Sequence, residues 1–205
     1  MPVHRGNIGG VIFEAWRHAL DHDERSDTQP DKRIRNRKRS SAWVDSLAGR
    51  FYARYEGDRY RLFWLGNNKN RGQFGRNEML FDVAVCSVST TRSRQRNAQD
   101  LEFIAQCHWQ IESEFSRTNT REIVIDMSKL VMGSAENKLF IAAHRTSGEG
   151  GILEQCSEIA ERCAGRVHFC FVSHPDDWKT GRQRPPALHE WVAGGWSGIA
   201  LPAAV

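Results

Sequence analysis

The sequence predicts an α/β fold in which a mixed central β-sheet is flanked by helices. Three observations carry this reading. Segments with apolar residues at 3.6-residue spacing alternate with short strand-like runs. EMLFDVAVCSVS (78–89) is nearly continuous in apolar and β-branched residues, as a strand covered on both faces requires. HWQIESEF (108–115) alternates strictly, with Trp109, Ile111, Ser113 and Phe115 on one face and Gln110, Glu112 and Glu114 on the other. A length of 205 residues suits a single domain, with a core over about 8–172, a basic loop at 21–45 and a C-terminal extension at 173–205.

In chain order, Val11, Ile12, Ala15, Trp16, Ala19 and Leu20 define an amphipathic helix over roughly 8–21. The charged, aperiodic stretch from Asp21 to about Ser41 contains Pro30 and reads as a loop. FYARYEG (51–57) and DRYRLFWLG (58–66) alternate around Glu56, Gly57 and Asp58, which predicts a β-hairpin. GNNKNRGQFGRN (66–77) is a basic, glycine-rich loop; it lacks the Gly-Lys-Ser/Thr and following helix of a P-loop. RSRQRNAQDLEFIAQ (92–106) is basic at first and weakly helical afterwards. TREIVIDMSKLVMGSAEN (120–137) carries Ile123, Val124, Met127, Leu130, Val131 and Ala135 on a helical stripe, with Thr118, Asn119 and Thr120 available as N-caps. KLFIAAH (138–144) is a short buried strand, Ile152 to Ala164 a helix, Gly165 its stop and VHFCFV (167–172) a strand. The proline-, glycine- and tryptophan-containing end resists assignment.

Bulk composition excludes several classes. A hydrophobic fraction of 40% with seven Trp and ten Phe is too rich in core formers for a disordered chain. No apolar run approaches a membrane span and MPVHRGNIGG has no apolar stretch, so a cytoplasmic protein without membrane contact is expected. The five cysteines are odd in number and include no C-x-x-C, so they read as free thiols. Net charge is only +4, yet KRIRNRKR (32–39) gathers Lys32, Arg33, Arg35, Arg37, Lys38 and Arg39 without an acid. That run reads equally well as a phosphate-contacting loop and as a solvated linker. Lys69 and Arg71 in the glycine-rich loop, and the loop at 92–96, extend the candidate nucleic-acid surface.

The acids carry the chemistry. Glu112 and Glu114 project from one strand face with roots about 6.6 Å apart, close enough to share a cation. A strand with one wet face would read the same way. Asp82 is harder to explain, because it sits among Met79, Leu80, Phe81, Val83, Ala84 and Val85. An unpaired carboxylate there would be costly, so it needs either a cation or an arginine partner. Three converging acids would be relieved by a hard divalent ion, magnesium or manganese. His168, Cys170 and His174 share one strand parity but lack a fourth ligand, and Trp178, Trp191 and Trp196 suit an anchored tail better than a base-stacking platform.

LFDVAV, a polar segment, WQIESEF, a helix and KLFIAA together resemble the core of the PD-(D/E)XK nuclease superfamily, over roughly Val11 to His144. The resemblance implies a restriction-endonuclease-like fold with Asp82 as the first acid, Glu112 as the second and Glu14 as the acid some members carry on the first helix. Glu14 reads equally as an exposed helix residue. Glu114 stands where the family has its lysine, an acid-x-acid variant that some active restriction endonucleases share. In this superfamily the lysine can also migrate to the next helix. Lys129 is the candidate, although its helical position opposite the apolar stripe reads as a solvated residue.

The implied function is a magnesium- or manganese-dependent endonuclease acting on DNA, with RNA as the second choice. Its catalytic and metal-binding acids would be Asp82, Glu112 and Glu114, joined at the metal by Glu14. The alternative is a catalytically inactive nuclease-fold protein that binds nucleic acid or serves as an assembly module. Either reading is compatible with a homodimer or a partner protein.

Overall fold

The computed structural model describes residues 8–21, 29–55, 57, 59–94, 100–145, 148–178 and 180–202. Helix α1 (Ile8–Asp21) buries Val11, Ile12, Ala15 and Ala19, the stripe its sequence spacing predicts. Of the stretch expected to be a basic loop, residues 22–28 lie outside those described, and from Lys32 onward it is instead helical, the first part of α2 (Lys32–Arg54). Asp31 starts it by accepting the Arg33 and Ile34 N–H groups on its side chain. The helix hides from a sequence reading because its first two turns are almost wholly charged. Only Trp43, Leu47, Ala48 and Phe51 farther along supply the buried stripe. This helix also overturns the hairpin expected at 51–66. Its last turn takes up Phe51 to Arg54, leaving Tyr60–Phe63 as a four-residue strand, β1, that pairs with the next strand instead.

A short helix, α3 (Arg71–Phe74), follows where an unbroken loop was expected, and leads to β2 (Val83–Thr91). β3 (Leu101–Glu114) takes in the segment expected to be weakly helical, because Leu101 to Gln106 continue the ladder with Ser87 to Thr91. Pairing across strands outweighs a marginal helical preference there. α4 (Thr120–Lys129) is capped by Asn119, runs into a 3₁₀ turn at Leu130–Met132, and stops short of the predicted 137. Close packing marks the stop: a Cβ on Gly133 would collide with the side-chain amide of Gln110.

Then come β4 (Asn137–Ala143), α5 (Gly150–Arg162) and β5 (Arg166–Val172), close to their predicted limits. Gly165 takes φ of 83° between α5 and β5, with the Glu136 carbonyl against its α-carbon, so no side chain fits there. The chain ends in a hairpin of β6 (Ala187–Val192) and β7 (Gly195–Ile199), turning through Ala193 and Gly194 at positive φ.

All seven strands form one mixed sheet in sequence order, antiparallel except for β3–β4 and β4–β5. Successive residues of β4 serve opposite faces. Leu139 and Ile141 join a core with α1 and α2, whereas Phe140 and Ala142 join a core with α4 and α5. The architecture is thus α/β with helices on both faces of a mixed sheet. The segment expected to be an extension belongs to it: Leu188 lies in the first core, and Ala187, Trp191 and Trp196 pack on the second. Trp178 is fully buried as well. Among the described residues, no helix is long and apolar enough to cross a membrane.

Candidate acidic site and basic surface

Asp82 lies immediately before β2, whose first residue Val83 pairs with Ile111 of β3. One step further along this antiparallel ladder, Asp82 comes level with Glu112. The Asp82 carboxylate accepts the Ser113 N–H at 2.9 Å and the Ser113 hydroxyl at 2.5 Å, so serine rather than arginine is its partner. Burial nevertheless holds its pKa above the usual range, against those two hydrogen bonds.

Glu112 is the most enclosed acid of the group, with 3% of its side chain exposed. Burial first, then the neighbouring Asp82, pushes its pKa up to about 8, with Lys129 opposing. Glu112 Oε2 accepts from Lys129 Nζ at 3.1 Å, while Oε1 is buried without a hydrogen-bond partner. Lys129 is therefore not the solvated surface residue its helical position suggests. It ends α4, bridges Glu112 and, at 2.8 Å, Asp126. The reason is reach: the four-carbon stem carries the ammonium from the helix flank down to the sheet. Partial burial pulls its pKa down, and the two carboxylates more than restore it.

Glu114 is half-buried, accepts the Ser116 N–H at 2.5 Å, and lies near Asp126 and Glu122. Its pKa is raised, first by burial. Asp126 thus stands between the two glutamates, near Glu114 and sharing Lys129 with Glu112. Glu78 completes the group; burial and Asp82 raise its pKa. Glu14 stands apart, on the exposed side of α1 and 3.9 Å from Arg50. Among the described residues, no three Asp, Glu, His or Cys side chains converge tightly enough to hold an ion as they stand. The feature that does fit a cation is the orphaned Glu112 Oε1, a buried acceptor in a group with more acids than cations.

A cleft of about 470 Å³ opens beside part of this group; neither Glu112 nor Lys129 lines it. Glu78, Asp82, Ser113 and Glu114 line one side, while Arg37, Ser40 and Ser41 of α2 line the other. The helical form of the basic run is what brings Arg37 here.

The rest of the run divides by exposure. Arg33 and Lys38 face solvent, Lys32 pairs with Asp176 at 2.9 Å, and Arg35 donates to the Gln29 carbonyl at 3.1 Å. Arg39 cannot serve nucleic acid from where it lies: it is 4% exposed, donates to the Pro175 carbonyl at 2.7 Å, and packs over Trp178. Its place one turn before Trp43 puts it on the buried stripe, which a loop assignment could not reveal. Lys69 is exposed beside the Tyr52 ring, 3.2 Å from its hydroxyl, and Arg71 opens α3 in solvent. Of the loop at 92–96, only Arg92 to Arg94 fall within the described residues.

Sequence reasoning missed Asp126, Glu78 and Ser113. The Asp126-x-x-Lys129 spacing was a usable signal, since residues three apart on a helix are neighbours. No protein-family model matches the chain, and no curated protein matches it.

Proposed function

We propose that the chain is a metal-dependent nuclease of the PD-(D/E)XK type, hydrolysing phosphodiester bonds of DNA. The observation that carries this reading is the Lys129–Glu112 contact, with the second Glu112 oxygen left without a partner. Lys129 supplies from α4 the cation that Glu114 replaces on β3. The succession of helix, three-stranded meander, helix and strand, with Asp82 beside Glu112, supports the same family.

Magnesium or manganese, when bound, would neutralise charge on the scissile phosphate. Asp82 and Glu112 are the residues to hold it, with Glu114 or Asp126 as further oxygen donors. Lys129 steadies the negative charge that develops at phosphorus, and Arg37, which lines the cleft with Asp82 and Glu114, grips a neighbouring phosphate. Arg33, Lys38, Lys69 and Arg71 contribute sequence-independent backbone attraction. Five free cysteines suit a reducing compartment, in keeping with a cytoplasmic enzyme.

The test is cleavage of labelled single- and double-stranded DNA, and of RNA, with each metal. Asp82→Asn and Glu112→Gln are expected to abolish cleavage, and Lys129→Met to reduce it by about 100-fold, with cooperative melting retained. Intact substrates throughout, together with no calorimetric signal for either ion, would sink the proposal. One observation favours a non-catalytic nucleic-acid-binding or assembly module: among the described residues, no three carboxylates converge on one point. That reading calls for DNA binding that is indifferent to the metal.

A further inference from the structure

Two of the five free cysteines face each other. Cys86 of β2 and Cys107 of β3 are direct partners in the antiparallel ladder. The register shifts on either side of this neighbourhood, where His108 and Ala105 are extra residues on β3. Opposed antiparallel residues have α-carbons about 4.5–5.5 Å apart, inside the range of about 4.4–6.8 Å that a disulfide spans. Bulges on both sides add local twist, which gives the pair room to meet disulfide geometry.

The surroundings favour reaction at one sulfur. Cys86 is buried beside Phe63 and Ala84, whereas Cys107 is only partly buried. Cys107 donates its thiol to the Trp109 carbonyl at 3.3 Å, and the adjacent thiols lift the pKa of Cys86 and lower that of Cys107. Burial opposes the lowering at Cys107, and the Lys138 ammonium assists it. By contrast, burial pushes the Cys156 thiol up to about 12 and raises Cys170 as well. Neither of these, nor Cys163, has a cysteine opposite it in the ladder.

We infer that Cys86 and Cys107 are an oxidative modification site, converted by a hydroperoxide to a cross-strand disulfide. The Cys107 thiolate attacks the peroxide, an S–O bond forms as the O–O bond breaks, and hydroxide or alkoxide leaves. Cys107 is then a sulfenic acid, oxidised by two electrons, and the peroxide oxygen is reduced. The Cys86 sulfur attacks that sulfenic sulfur, the S–S bond forms as the S–O bond breaks, and the departing hydroxide takes the Cys86 proton to leave as water. The bond would tie together the two strands at whose far ends Asp82 and Glu112 lie. It stands independently of the nuclease reading.

The experiment treats the full chain with hydrogen peroxide, alkylates the remaining thiols and maps peptides by mass spectrometry. Loss of two hydrogens, with Cys86 and Cys107 cross-linked and the other three cysteines alkylated, is the expected result. Cys86→Ser should leave Cys107 as a sulfenic acid that dimedone captures, and Cys107→Ser should leave Cys86 a thiol at the same peroxide dose. Free alkylation of both residues after oxidation, or cross-links among Cys156, Cys163 and Cys170 instead, would overturn the inference. The mapping of unmutated protein decides it even where a variant fails to fold.

Discussion

Glu112 and His174 show how single residues make opposite demands on pH. Glu112 is pushed up to about 8 from an ordinary 4.5, first by burial and then by Asp82. Between those values the folded chain holds a proton that the unfolded chain has lost, so the contribution of Glu112 is fully present below 4.5 and is lost as pH rises towards 8. His174 runs the other way: burial and Arg117 lower it to about 4, so its contribution is intact above 6.5 and lost on acidification towards 4. In metal-free protein, Glu112→Gln is therefore expected to raise the melting temperature at pH 8 and to change it little near pH 4. A tenfold difference in proton affinity between folded and unfolded chains is equivalent to about 1.4 kcal/mol, which sets the scale of that gain. Equal effects of this variant at both pH values would show that Glu112 is not held protonated. Asp82 was legible in the sequence because a lone charge inside an apolar run demands an explanation. Lys129 was legible as a candidate but reads as solvated, because which side of a helix meets the sheet is decided by tertiary packing rather than by the helix's own periodicity; Asp126 is signalled only by its spacing from Lys129.

Among elements, α2 contrasts with β4 and β5. The two parallel strands carry nearly unbroken apolar runs and could be read within a residue or two of their limits. α2 begins with two charged turns, and its periodicity appears only once Trp43, Leu47 and Phe51 are counted with Arg39 on the same stripe. Its cations consequently fall into two kinds that mutation separates. Arg33→Glu with Arg37→Glu is expected to weaken DNA binding and flatten its salt dependence by about one to two units of slope, without lowering the melting temperature. Arg39→Met instead removes a buried donor from the Pro175 carbonyl, an expected loss of about 1–3 kcal/mol. A double reversal that leaves binding unchanged across a salt series would remove α2 from the proposed nucleic-acid surface. The β6–β7 turn was missed because Ala193, not asparagine or glycine, holds its first left-handed position at φ of 51°. Ala193→Gly should relieve that backbone and stabilise by up to about 1 kcal/mol, read from the denaturant midpoint.

At the scale of the whole molecule, the acids lie where two antiparallel strands give way to two parallel ones, with helices on both faces. That arrangement depends on the C-terminal hairpin more than its sequence suggests. β6 covers what would otherwise be an open edge of β5, and Leu188 enters the core shared with α1 and α2. On the opposite face, Trp196 packs edge-on against Phe169 and donates its indole N–H to the Leu153 carbonyl at 2.8 Å, tying β7 to α5. Leu188 alone accounts for about 1.5–3 kcal/mol of burial, against a total stability of about 5–15 kcal/mol for an ordinary domain. Removing the hairpin would withdraw apolar contacts from both cores and expose the row of unpaired backbone groups along β5. A chain ending at Pro186 is therefore expected to lose cooperative unfolding, bind a hydrophobic dye and aggregate at concentrations where the full chain stays monodisperse. If that shortened chain instead melts cooperatively within a few degrees of the full one, the hairpin is an appendage, as its sequence suggests. The acidic site would then need only the sheet from β1 to β5 for its support.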